Sequence, residues 1–283
     1  MKNAKGFIAN ANIKIMFEIF SYGFMQRALL TGAVLAIFSG IISVFIVLRR
    51  VSFLGSGISH AAFGGVSIGF LLGVNPLLTA LIYSTVVAFG IEQISTKGRL
   101  AEDTAIGIFF SSSMALGIVL VGLSPSYNVD LFGYLFGSIL AITNEDALIA
   151  VFVTIFLMGI IFAIMKELYF ITFNEELAFV SGIKVRLIKS IFLLSMAIAI
   201  VVGIKLVGII LISALLVIPG ATAHLLTKRF YRMVFISCLI SLFSTISGII
   251  ISYRLNLAPG GTIVLMLSVT FFIAFFNKAL NNA

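Results

Sequence analysis

Two histidines, His60 and His224, lie in or beside apolar stretches of a chain that is poor in other chemically active groups. Imidazole is a common transition-metal ligand and a proton carrier near neutral pH. His60 stands in SGISHAAFGG, residues 56–65, four residues after Ser56, so on a helix the hydroxyl and the ring share one face. One imidazole and one hydroxyl make a sparse ligand set, better suited to the passage of a metal ion than to its storage. A second reading has His60 making only an interhelical hydrogen bond in a tightly packed bundle. Because an ionisable group at membrane depth ordinarily faces a bundle interior or a wet path, both readings stay open from the residues alone. His224 follows Pro219-Gly220-Ala221-Thr222-Ala223 and precedes Lys228-Arg229. Its simpler reading is an interfacial side chain at a helix end, and its other reading is a metal ligand. Pro219 removes a backbone donor and is expected to kink its helix, which is consistent with a moving element without proving one.

Other chemistries find little support. No G-x-x-x-x-G-K-[ST] is present, and Lys189-Ser190 is preceded by Ile188, so the chain has no P-loop for ATP. Neither an H-E-x-x-H motif nor a pair of carboxylates within one apolar stretch supports an intramembrane hydrolase. Cys238 is the lone cysteine, which excludes an internal disulfide and any zinc-ribbon framework.

The elements that position these residues follow from composition. Of 283 residues, 61% are hydrophobic and 10% charged, with a mean hydropathy of +1.24. Such a chain is an integral membrane protein, all-α and polytopic. A spanning helix needs about 20 apolar residues, so the gaps between charges measure the crossings. Arg27 to Arg49 holds one and Arg50 to Glu92 two, divided at Gly73-Val74-Asn75-Pro76. Asp103 to Asp130 holds a fourth, ending near Ser124-Pro125, and Asp146 to Lys166 a fifth. The intervals Lys189–Lys205, Lys205–Lys228, Arg232–Arg254 and Arg254–Lys278 supply four more, giving a bundle of about 8–9 helices. Residues 131–144 are too short to cross and read as a half-helix or interfacial segment.

Basic clusters at Arg49/Arg50, Lys97/Arg99, Lys184/Arg186/Lys189, Lys228/Arg229/Arg232 and Lys278 all fall on one side of this count. That side is the cytoplasm by the positive-inside rule. The net charge of +8 therefore reports loops at the membrane surface and not a nucleic-acid partner. The same count leaves the N-terminus outside. Residues 1–23, interrupted by Lys14 and Glu18, read as an interfacial lead-in to one membrane domain at 24–278. Glu92, near the Lys97/Arg99 end, is expected to snorkel to the interface.

Two further patterns stand out. Gly57, Ala61, Gly65 and Gly69 recur at every fourth position and form a small-residue groove that admits a neighbouring helix closely. Residues 56–72 are thus expected at the bundle centre. FNEELAFVSGIKVR, residues 173–186, joins two crossings on the basic side. Asn174 is placed to cap a short helix with Glu175 and Glu176 in its first turn and Gly182 at its end. It reads either as a polar connector or as a docking helix, about 174–182, for a cytoplasmic partner.

RRVSFLGSGISHAAFGGVSIGFLLGVNP, EELAFVSGI and KLVGIILISALLVIPGATAHLL occur here in order. Together they resemble the permease subunit of bacterial ABC importers for zinc, manganese and iron, over about residues 24–276. The resemblance implies a type II ABC importer-like bundle in the cytoplasmic membrane, two copies around a translocation path, and no permanently bound cofactor. It also implies a separate ATP-binding cassette ATPase and an extracytoplasmic metal-binding protein that delivers zinc, manganese or iron. The chain would then be no enzyme itself, and would convert nucleotide-driven closure into alternating access. On this resemblance Glu175, Glu176, Ala178 and Gly182 match the coupling helix that seats on the ATPase. The first family motif commonly reads G-D-x-x-x-H; here the histidine is His60, but Ser56 replaces the acid. Two rival readings are a secondary transporter of a cation or small solute, which would need coupling-ion carboxylates near the midplane, and a membrane assembly subunit that transports nothing.

Overall fold

The computed structural model describes residues 21–98, 100–123, 137 and 139–281. Nearly all of the proposed lead-in and half of the 131–144 segment therefore lie outside the described residues. The regular elements among them are all helical: α1 Gly23–Leu48, α2 Leu54–Leu72, α3 Pro76–Gly98, α4 Glu102–Leu123, a 3-10 turn Ile139–Ala141, α5 Asn144–Ala163, α6 Met165–Phe173, α7 Glu175–Val180, α8 Val185–Leu215, α9 Ile218–Leu226, α10 Phe230–Leu255 and α11 Pro259–Asn281.

Local chemistry sets the boundaries. Gly73 closes α2 with φ +66, a left-handed cap that costs glycine nothing. Two residues on, the Asn75 side chain accepts from the Leu77 amide at 2.9 Å, and Pro76 opens α3, where its missing N–H is not needed. Asn256 performs the left-handed turn after α10.

Among the described residues, eight stretches are long and apolar enough to cross a bilayer, and one of them covers 42 residues, 185–226. That stretch is not straight. Gly208 has φ 80 and ψ 165 inside α8, and a Cβ placed on Gly203 would meet Ile212 Cδ1 at 2.9 Å. In a straight helix those residues stand roughly 13 Å apart along the axis, so the chain reverses at Gly208. Contacts along its length agree. Lys189 lies with Glu102 and Glu175, Lys205 with Asp146 at the opposite end, and Gly220 is back beside Ser43, near the end of α1. The intervals on either side of Lys205 are therefore two passes joined by a tight turn.

The two ends of the bundle differ in charge. Arg27 donates to the Ile142 carbonyl at 3.0 Å and to Asn144 at 2.9 Å, which places the start of α1 with the start of α5 and with Lys205. Tyr253 packs against Phe24 at the same end, the two rings tilted at 46°. At the other end gather Arg49, Lys97, Lys184, Lys189, Lys228 and Lys278. The basic end is cytoplasmic.

Packing then fixes α2. It lies against α3, α4 and α8, while α1 packs on α10, α9 and α5. The small-residue ladder divides between two neighbours instead of serving one. A Cβ on Gly57 would come within 2.6 Å of Ile106 on α4, whereas a Cβ on Gly65 would come within 2.6 Å of Ala80 Cα and 2.9 Å of the Thr79 carbonyl on α3. Gly69 likewise meets Pro76, and Ala61 is fully buried. Lipid offers no hydrophobic drive for helices to associate, so backbone approach of this kind supplies much of the cohesion. Gly65→Leu is expected to cost about 1–3 kcal/mol or more through overpacking against backbone. Gly159→Ala, which meets open space, should be harmless. Thermal unfolding of the detergent-purified variants measures both.

Candidate functional site

His60 and Ser56 lie on one half-buried face of α2. His60 Nδ1 is 2.8 Å from the Ser56 carbonyl oxygen. A carbonyl only accepts, so Nδ1 carries the proton and Nε2 keeps its lone pair free for a cation. The ring also packs on Phe110, with centroids 4.4 Å apart. Among the described residues this bond is intrahelical, and the ring makes no hydrogen bond to a neighbouring helix. Both residues open onto a cleft of about 640 Å³ between α2 and α4, whose walls include Phe53, Asp103, Thr104 and Ser111. On a neighbouring face of α2, Ser213 donates to Ser59 at 3.2 Å, which ties the helix to the returning limb of α8. Among the described residues, no three His, Cys, Asp or Glu side chains gather as a metal cluster.

His224 is elsewhere. It ends α9 at the basic end, with Lys228 Nζ 3.4 Å from its Nε2, and its Nδ1 is buried without a partner. The structure does not bring it to the His60 cleft, and an adjacent ammonium makes its surroundings poor for a cation. Pro219 sits in the first turn of α9 after a break at 216–217. The expected kink is therefore a helix restart. Ser43 pins it, donating to the Val217 carbonyl at 3.1 Å and accepting from the Gly220 amide at 2.8 Å. Gly65-Val66-Ser67-Ile68-Gly69 spells the G-x-S-x-G of serine hydrolases, but Ser67 is buried within α2 and donates to the Phe63 carbonyl at 3.0 Å. A nucleophile elbow needs an exposed serine on a strand-to-helix turn.

The loop after α6 contains a capped helix. Asn174 accepts from the Leu177 amide at 2.8 Å, α7 follows, and Gly182 leaves it at φ +84. Its residues do not all face outward. Ala178 is fully buried, and Glu175 turns back to Lys189 at 2.7 Å. Glu176 and Gly182 stay exposed, joined by Phe179 and Val180, which are 73% and 81% exposed. These two apolar side chains escape a reading that looks for charge, although they stand beside Glu176 in the same motif.

Glu175 belongs to a chain of ions. Lys189 also reaches Glu102 at 3.2 Å, and Glu102 meets Arg49 at 3.2 Å. The guanidinium of Arg49 lies over the Phe192 ring at 5.7 Å. One network thus joins the ends of α1, α4, α7 and α8. Glu92, at the same basic end, is 8% exposed and accepts from Ser190, the neighbour of Lys189, at 2.7 Å.

A bundle of all-helical passes with a basic cytoplasmic face, a discontinuous pass and a capped cytoplasmic helix defines a multi-pass permease of the cytoplasmic membrane. The chain belongs to the ABC 3 transport family, whose model matches residues 21–278. It is 37% identical over 257 residues to the manganese transport system membrane protein MntC of Listeria innocua, covering 91% of each chain. It is 35% identical to the manganese import system permease protein ScaB of Streptococcus parasanguinis, over 90% of this chain and 91% of that one. The solved structure of PsaBC from Streptococcus pneumoniae in complex with Fab superposes with a TM-score of 0.81 at 35% identity, covering 93% of this chain and 95% of its counterpart.

The anchoring of α7 is open to test. Lys189→Ala should loosen it by about 1 kcal/mol, the upper range for a partly exposed ion pair. Gly182→Val should strain the left-handed turn by about 1–2 kcal/mol. Amide exchange across 175–182, read by mass spectrometry, is expected to accelerate several-fold in each variant.

Proposed function

We propose that this chain is the permease subunit of an ATP-driven importer that moves a divalent transition metal, with manganese as cargo, into the cell by alternating access. The observation that carries the reading is α7. It is a capped helix on the cytoplasmic face, held from behind by Lys189, with Phe179 and Val180 exposed. Exposed apolar side chains rimmed by polar groups are what a docking surface offers. A P-loop ATPase is the partner of matching chemistry, since the chain has no nucleotide motif of its own. Manganese is favoured by the names of the relatives, ahead of zinc and iron.

In this reading the Ser56 and His60 face lines the path, and a second copy of the chain closes the cleft from the other side. An extracytoplasmic binding protein delivers the ion to the end that carries Arg27 and Lys205. His60 Nε2 offers one moderately soft ligand, and Ser56 one hard ligand, weak enough for release. Closure of the ATPase pulls on α7, and the Arg49–Glu102–Lys189–Glu175 network passes that displacement to α1, α4 and α8. His224 is left to the helix end, and Pro219 with Gly208 marks where the returning limb bends.

Two measurements test this. His60→Ala is expected to lower manganese uptake by at least about tenfold, the low end of the effect of disturbing a metal site, while the ATPase still co-purifies. Uptake that persists without any ATPase but collapses with a proton uncoupler would identify a secondary transporter instead.

A further inference from the structure

Two neighbouring carboxylates open α4, and they meet different fates. Glu102 is held by both Arg49 and Lys189 at 3.2 Å. Asp103 has no cation within ion-pair distance and no side-chain hydrogen bond among the described residues. An acid in a first helical turn is common, because it complements the helix dipole. The dipole does not decide which way the acid faces. One residue along a helix turns the side chain by about 100°, and this step takes Asp103 away from Lys189 and into the wall of the His60 cleft.

The register of the helices fixes its depth. α2 and α4 run parallel, with Gly57 opposite Ile106 and Gly64 opposite Ser113. Asp103 thus stands level with the first turn of α2, roughly 9 Å nearer the cytoplasm than His60 at about 1.5 Å per residue. It lines a second cleft as well, of about 420 Å³, which opens among Arg49, Arg50, Thr172 and Glu175 on the cytoplasmic face. Asp103 is therefore the joint between the membrane cleft and the cytoplasmic one.

We infer that Asp103 supplies from α4 the carboxylate that position 56 lacks, receiving the divalent cation from His60 and releasing it through the cytoplasmic cleft. The inference rests on the transport reading above. Its chemistry is that of a hard oxygen donor, which suits manganese better than a second imidazole would. Its electrostatics answer a problem set by the fold. A dication leaving toward the basic end approaches Arg49, Arg50 and Lys189, and an unpaired carboxylate at the mouth offsets that repulsion. Glu102 cannot do so, because two cations already hold it.

The test replaces the native copy in the host cell and follows manganese uptake at low external concentration. Asp103→Asn is expected to cut uptake by about tenfold or more at unchanged expression. Moving the acid to α2, as Ser56→Asp combined with Asp103→Asn, is expected to restore a large part of it. A defect in the α4 helix start could not be rescued from α2, so a double variant as impaired as Asp103→Asn would overturn the inference. Normal uptake by Asp103→Asn alongside impaired His60→Ala would also overturn it, while leaving the path itself standing. Normal uptake in both single variants would instead remove the path reading on which the inference rests.

Discussion

Helices in lipid gain nothing by burying apolar surface, so this fold depends on how closely backbones can approach. α2 is the helix where that constraint is tightest. Gly57 admits Ile106, Gly64 admits the Ser113 carbonyl, and Gly65 and Gly69 admit the backbone of α3. With two faces of α2 clamped in this way, and a third tied to Ser213, its rotation about its own axis is fixed. The face left over is the one carrying Ser56 and His60. An open face thus arises by subtraction: glycine determines where α2 cannot be open, and the polar residues occupy the rest.

Charge performs the corresponding task at the cytoplasmic end. Arg49, Glu102, Lys189 and Glu175 form one connected set of alternating sign, drawn from four helices. Each pair taken alone would be worth little at a surface. As a network on a half-buried ledge, it makes the capped helix α7 a part of the membrane bundle and not a loose loop. The same network absorbs Glu102 and leaves Asp103 unpaired, so the anchoring of α7 and the polarity of the cleft are two results of one arrangement. At the other end, Lys205 and Asp146 hold the turn at Gly208, which lets a single helical stretch cross and return.

Much of this was legible in the residues. Charge gaps located the passes, because the bilayer imposes one length on every span, and Lys205 marked a turn inside a continuous apolar run. Asn174 and Gly182 announced their caps, and Pro76 the division between α2 and α3, since capping and helix breaking are local chemistry. What sequence reading missed is long-range. The pairing of Glu92 with Ser190 and of Glu175 with Lys189 depends on helix rotation, which the hydropathy of a nearly all-apolar helix barely encodes. Asp103 read simply as the boundary of a span, and only the parallel register of α2 and α4 brings it to the cleft of His60. The ladder Gly57, Ala61, Gly65, Gly69 was visible as a groove, but its division between α3 and α4 was not, because a four-residue period drifts around a helix of 3.6 residues per turn.

The central claim is that the transported cation meets the imidazole of His60 within the bundle. Pulsed electron paramagnetic resonance of Mn²⁺ bound to the purified protein reads that contact directly. Nitrogen coupling from one imidazole type, present in the native chain and absent from His60→Ala, is the predicted result. A spectrum with oxygen coupling only, or nitrogen coupling that survives in His60→Ala, would contradict it.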